Sequence, residues 1–338
     1  MKYLATMFIV GFFVIGSPEP MPTKLVDMDF GFEVLDEVAA YDAGQLAFFI
    51  PGVNFGSCAS CHKPEIGGYS FDKFPLGNRG HFDTILKRLD PNSTHKIDQQ
   101  DERTPPTLNS MFAVNGLNDG ALGAGGLNEN IHPNLLNEFK AANEMGVDGI
   151  LTQAEVGLTA HNLEDIVEKM RSSSFCNDVF NKAFGVNYVT KDAVKKALAV
   201  YQKSQLPTYS RFQKWLRGES KLKHAEAYPT FLKECASCHG ESGEGHKGRG
   251  FSFADNPGVG IFRVTKDSSD LHFYKAPQLY NLSDAPGLTH RSQDMTVYKA
   301  IRAHTKLSRK EARQQTRFIR DNFQDPNLDR YLINPYKE

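Results

Sequence analysis

Cys58-Ala59-Ser60-Cys61-His62 and Cys235-Ala236-Ser237-Cys238-His239 are one pentapeptide written twice, and they take up four of the five cysteines in the chain. Cys-x-x-Cys-His is the attachment signature of c-type haem. Cysteines three apart on a helical turn can each form a thioether to a haem vinyl group, and the adjacent histidine then lies under the iron. Two other chemistries use paired cysteines. A thioredoxin-like redox pair needs a βαβ setting, which the flanking sequence lacks. A four-thiolate zinc site places its two pairs tens of residues apart, much closer than these. A histidine closing both copies favours haem. Cys176 stands alone, so no disulfide framework is expected.

The rest of the chain fits a globular protein built around those two sites. Its 338 residues suggest two domains at roughly 150 residues each. Lys plus Arg number 39 against 40 Asp plus Glu, so there is no cationic face for nucleic acid or an anionic membrane surface. Residues 1–17 read as a signal peptide: Lys2, an apolar run from Met7 to Ile15, then small residues at Gly16-Ser17. That run is too short to span a membrane as a helix, and a periplasmic protein without a membrane span is expected. Helical periodicity appears at Leu163, Ile166, Val167 and Met170 behind Asn162, and again at Val194, Ala197, Leu198 and Tyr201. Pro229 opens a third helix leading into Cys235. No period-2 strand run stands out. The expected fold is mostly α, with two cytochrome-c-like domains, each around one covalently attached c-type haem. Ser204–Ser220 is the expected boundary, dividing the chain into residues 18–210 and 211–338.

Several ordered motifs add a resemblance. Gly44-Gln45-Leu46-Ala47-Phe48-Phe49 precedes the first haem motif. Tyr69-Ser70-Phe71-Asp72 and Arg103-Thr104-Pro105-Pro106-Thr107-Leu108-Asn109 follow it. Gln153-Ala154-Glu155-Val156-Gly157 and Phe212-Gln213-Lys214-Trp215-Leu216-Arg217-Gly218 come next. Tyr274-Lys275-Ala276-Pro277-Gln278-Leu279-Tyr280-Asn281 lies beyond the second haem motif, with His290 after it. Together these resemble the bacterial di-haem cytochrome c peroxidases, including the MauG branch, over roughly residues 40–307.

The resemblance implies a division of labour. The haem on Cys58, Cys61 and His62 would be peroxidatic, and the one on Cys235, Cys238 and His239 would transfer electrons. Glu155 would be the catalytic acid–base group, because moving a proton between peroxide oxygens is general acid–base work. Hydrogen peroxide would be the substrate, and a small cytochrome c or copper protein the electron donor. One calcium ion between the domains and a homodimer are compatible with the family. Calcium has an asparagine ligand there that is Thr104 here. The family's interhaem Phe-Trp-Asp-Gly-Arg is replaced by Leu117-Asn118-Asp119-Gly120-Ala121, which removes the bridging tryptophan. Two alternatives stand beside peroxide reduction: MauG-like oxidation of residues on a partner protein, and a non-enzymatic di-haem electron carrier.

The second iron needs another ligand, methionine in the peroxidases and tyrosine in MauG. Counting along the family pattern from His290-Arg291-Ser292 puts His304 at that position. Helix geometry agrees, since Val297, Ala300, Ile301 and His304 fall at i, i+3, i+4 and i+7. Met295 is the rival ligand.

Overall fold

The computed structural model describes residues 18–52, 56–70, 103–123, 149–160, 163, 165–245, 248–252, 258–285, 287–289 and 295–336. The expected signal peptide, the Asn162 cap and His290 lie outside them. The described chain is mostly α. In order come α1 (Glu37–Phe49), α2 (Cys58–Cys61), α3 (Gly149–Ala160), α4 (Asp165–Arg171), α5 (Ser174–Phe184) and α6 (Lys191–Lys203). Then follow α7 (Arg211–Leu216), α8 (Tyr228–Glu234), α9 (Ala236–His239), α10 (Phe262–Thr265), α11 (Val297–His304) and α12 (Arg309–Asn322).

The periodic residues became the buried faces. Ile166, Val167 and Met170 are buried on α4, as are Val194, Ala197, Leu198 and Tyr201 on α6. Thr190 caps α6 by accepting from the Ala193 amide, and Asp36 caps α1 by accepting from Ala39. Alpha-1 lies against α6 so closely that a Cβ on Gly44 would sit 2.1 Å from the Ala197 carbonyl oxygen. Only glycine permits that approach.

A second packing centre gathers around Phe212 of α7. Its ring lies 5.3 Å from Trp215, 5.6 Å from Tyr228 and 4.9 Å from Phe323 between ring centres. The stretch expected to separate the halves is no exposed tether, because Ser204, Gln205, Leu206 and Ser210 are fully buried. What covers them comes from the far end of the fold. The Tyr331 hydroxyl donates to the Leu206 carbonyl at 2.6 Å and accepts from the Leu206 amide at 2.9 Å. Tyr201 and Gln45 both donate to the Tyr331 carbonyl, and Asn334 donates to Asp42. Residues 328–336 therefore strap the first half.

One antiparallel pair was not expected: β1 (Arg249–Phe251) against β2 (Phe273–Lys275), with Gly250 opposite Tyr274. At three residues each, and with β1 exposed throughout, the strands carry no alternation to read.

Candidate functional site: two histidines on proline carbonyls

Helix α2 is a single turn that places the first motif. The Ser57 amide donates to Ser60 Oγ at 2.9 Å, and the His62 amide closes the turn on the Cys58 carbonyl. Burial pushes the Cys58 thiol up to about 12. His62 Nδ1 lies 3.1 Å from the Pro105 carbonyl oxygen. A carbonyl only accepts, so Nδ1 is the protonated nitrogen, and Nε2 keeps the lone pair that a metal takes. Phe48 of α1 packs 6.4 Å behind the ring. A cavity of about 70 Å³ beside His62 is lined by Thr107, Gln153, Gln202 and Lys275 among others.

The second motif repeats the arrangement. Alpha-8 delivers Cys235, α9 carries Cys238 and His239, and His239 Nδ1 donates to the Pro277 carbonyl at 2.8 Å. Burial lowers His239 to about 4, against the Pro277 carbonyl, which favours its protonated form. Burial raises Cys235 to about 11. The adjoining cavity holds about 190 Å³ and is walled by Leu279, Leu282 and Leu288. Alpha-11 presents Val297, Ala300, Ile301 and His304 to it, the same four residues that the helical period selects. Met295 lies outside the lining.

His239 and His304 face each other across this cavity with ring centres 6.3 Å apart and planes at 59°. An imidazole nitrogen sits about 2 Å from a bound transition metal, so two rings on opposite sides of one metal have centres roughly 6 Å apart. The spacing, the two adjacent thiols and the apolar walls fit a haem iron held by two imidazoles.

A family model described as di-haem cytochrome c peroxidase matches residues 52–221, half of the chain. The chain belongs to that family. It is 24% identical over 277 residues to the cytochrome c551 peroxidase of Nitrosomonas europaea, covering 77% of this chain and 71% of that protein. It is 23% identical over 259 residues to the cytochrome c peroxidase Ccp of Escherichia coli K12, covering 73% of this chain. The chain spans about half (48%) of the length of that relative. Among solved structures, a MauG-like protein associated with microbial copper homeostasis superposes at a TM-score of 0.59 with 18% identity, covering 98% of this chain and 100% of that one. A variant of the diheme peroxidase BthA of Burkholderia thailandensis gives 0.55 with 13% identity, covering 94% and 92%. Both structures share the fold. As a member of the di-haem peroxidase family, this protein is an oxidoreductase.

Glu155, expected as the acid–base group, is placed elsewhere. Helix α3 turns Ile150 and Gln153 toward the cavity beside His62, whereas Glu155 is ion-paired with Lys191 at 2.9 Å and Lys195 at 3.5 Å on α6. The reason is helical phase: two positions beyond Gln153 is about 200° around the axis. Glu155→Gln is expected to cost about 1 kcal/mol of stability or less, as for other part-exposed pairs, and to leave peroxide turnover near that of the parent. Steady-state kinetics check this, and a large loss of turnover would return Glu155 to the chemistry.

Sequence reading also missed the proline carbonyls, although a signal was present. Arg103-x-Pro105-x-x-x-Asn109 and Lys275-x-Pro277-x-x-x-Asn281 share one pattern, a base, a proline and an asparagine at fixed spacing. Asn109 and Asn281 both adopt a left-handed conformation, at φ 61° and 53°. Short polar side chains tolerate that region better than others. Each pattern supplies the carbonyl for one motif histidine.

Proposed function

We propose that each Cys-x-x-Cys-His motif carries one covalently bound haem c, and that the protein reduces hydrogen peroxide to water with electrons from a small redox protein. The observation that carries this reading is the facing pair of His239 and His304. Bound haem supplies the iron redox chemistry that takes peroxide to water.

The chain's own residues divide the work. Cys58 and Cys61, and Cys235 and Cys238, anchor the two macrocycles. His62 and His239 would hold the irons through Nε2, each oriented by its proline carbonyl. His304 would share the second iron with His239, which would suit that site to passing electrons rather than to binding small ligands. No second histidine or methionine lines the cavity beside His62 among the described residues. Substrate chemistry is assigned to the first site, where the Gln153 and Gln202 amides can hydrogen-bond a small polar molecule. The division near residue 210 and export to the periplasm belong to the same proposal. Among the described residues no helix is long and apolar enough to cross a membrane.

Pyridine haemochrome analysis of the purified protein is expected to show two c-type haems per chain, resistant to acid acetone. Peroxide-dependent oxidation of a reduced small cytochrome c should accompany them. One haem, or extractable haem, overturns the attachment; two haems with no peroxide turnover overturn the activity.

A further inference from the structure

Arg103 and Lys275 occupy equivalent positions in the two base-x-proline patterns, yet each lines both cavities. The base that belongs to the His62 pattern reaches the His239 cavity, and the base of the His239 pattern reaches the His62 cavity. Among the described residues neither cavity lining contains an aspartate or a glutamate. Asp119 is the acid nearest Lys275 in charge terms, but Arg263 Nε holds its carboxylate at 2.5 Å.

Arg103 is only 6% exposed. Its Nη1 donates to the Gly287 carbonyl at 2.7 Å, its guanidinium lies 5.3 Å from the centre of the Tyr69 ring, and its Nε has no hydrogen-bond partner. The Lys275 ammonium donates to the Asn115 carbonyl, and burial pulls its pKa down to about 8. A buried guanidinium and a part-buried ammonium on one wall, with no carboxylate among the described lining residues, are costly unless an anion meets them. A guanidinium edge with an unused donor suits a carboxylate in particular.

We propose that Arg103 and Lys275 bind the carboxylate side chains of both haems, so that the two groups share one cationic wall. This rests on the reading that each Cys-x-x-Cys-His motif carries a haem. The wall then couples the two irons through charge, at the position where Asn118 lines both cavities. A cation beside a haem favours its reduced form, which carries one positive charge fewer. Removing the cation lowers the midpoint potential, and a shared cation lowers both.

The test is a spectroelectrochemical titration of the doubly loaded protein, with haem content counted first. Arg103→Gln and Lys275→Met are each expected to lower both midpoint potentials, while Arg103→Lys stays near the parent. If both neutral variants fail to load two haems while Arg103→Lys loads fully, charge is required to seat the carboxylates, and the proposal also stands. A shift confined to one haem, no shift in either neutral variant, or equal failure of all three variants overturns it. A parent protein without two haems instead overturns the underlying reading, so the two failures are distinguishable.

Discussion

A chain with His304 replaced by alanine is expected to lose the low-spin signal of its second iron. In the parent, two imidazoles on one iron should give a low-spin ferric spectrum at low temperature. The 6.3 Å separation of the His239 and His304 rings places both nitrogens within reach of one metal. Alpha-11 holds His304 there through Ile301, which is buried, and through Thr296, which caps the helix by accepting from Lys299. Truncation opens that coordination position to water, so the expected product is a high-spin iron with the haem still attached by Cys235 and Cys238. Met295→Ala should leave the spectrum unchanged, and absorption near 700 nm from sulfur ligation should be absent in the parent. A low-spin signal that survives His304→Ala, or one that vanishes in Met295→Ala, rules out the bis-histidine assignment.

The largest loss of stability is expected at Phe212. It is fully buried, and four rings meet it: Trp215, Tyr228, Phe323 and, edge-on at 6.5 Å and 90°, Phe318. Phe212→Ala leaves a cavity among rigid aromatic neighbours that cannot collapse into it. A cost of about 3–5 kcal/mol follows, or a fall in melting temperature on the order of 10 °C. Thermal or denaturant unfolding measures it, and a loss below about 1 kcal/mol would show that the cluster repacks. Phe231 packs on Phe318 and Phe323 in the same cluster and lies on the helix that delivers Cys235. Loosening at Phe212 should therefore also raise the spread of spectra from the second haem.

What was readable in the sequence followed from local rules. The helical period of Val297 to His304 needs only 3.6 residues per turn, and it selected the residues that face the second cavity. Alpha-4, α6 and α8 were legible for the same reason. Glu155 shows where that reasoning stops. A motif match gave its position along the chain, but two residues of helical phase decided that Gln153 faces the cavity and Glu155 faces Lys191. The carbonyls of Pro105 and Pro277 were missed for another reason: their repeated pattern marks a position but not a partner. They act through the backbone, and they meet histidines 43 and 38 residues away in the chain. The burial of Leu206 depends on Tyr331, 125 residues further along, and no local pattern reports a partner so distant.

That strap also fixes an order in time. Leu206 and Tyr331 are separated by 125 residues of synthesis. The hydroxyl that satisfies Leu206 arrives only after those residues, in whichever compartment the chain folds. Until then the Tyr201 and Gln45 side chains lack their common acceptor, and the buried stretch 204–210 stays open to water. The first half is made first and closed last, so the Cys58 and Cys61 thiols are presented in an unfinished fold throughout that interval.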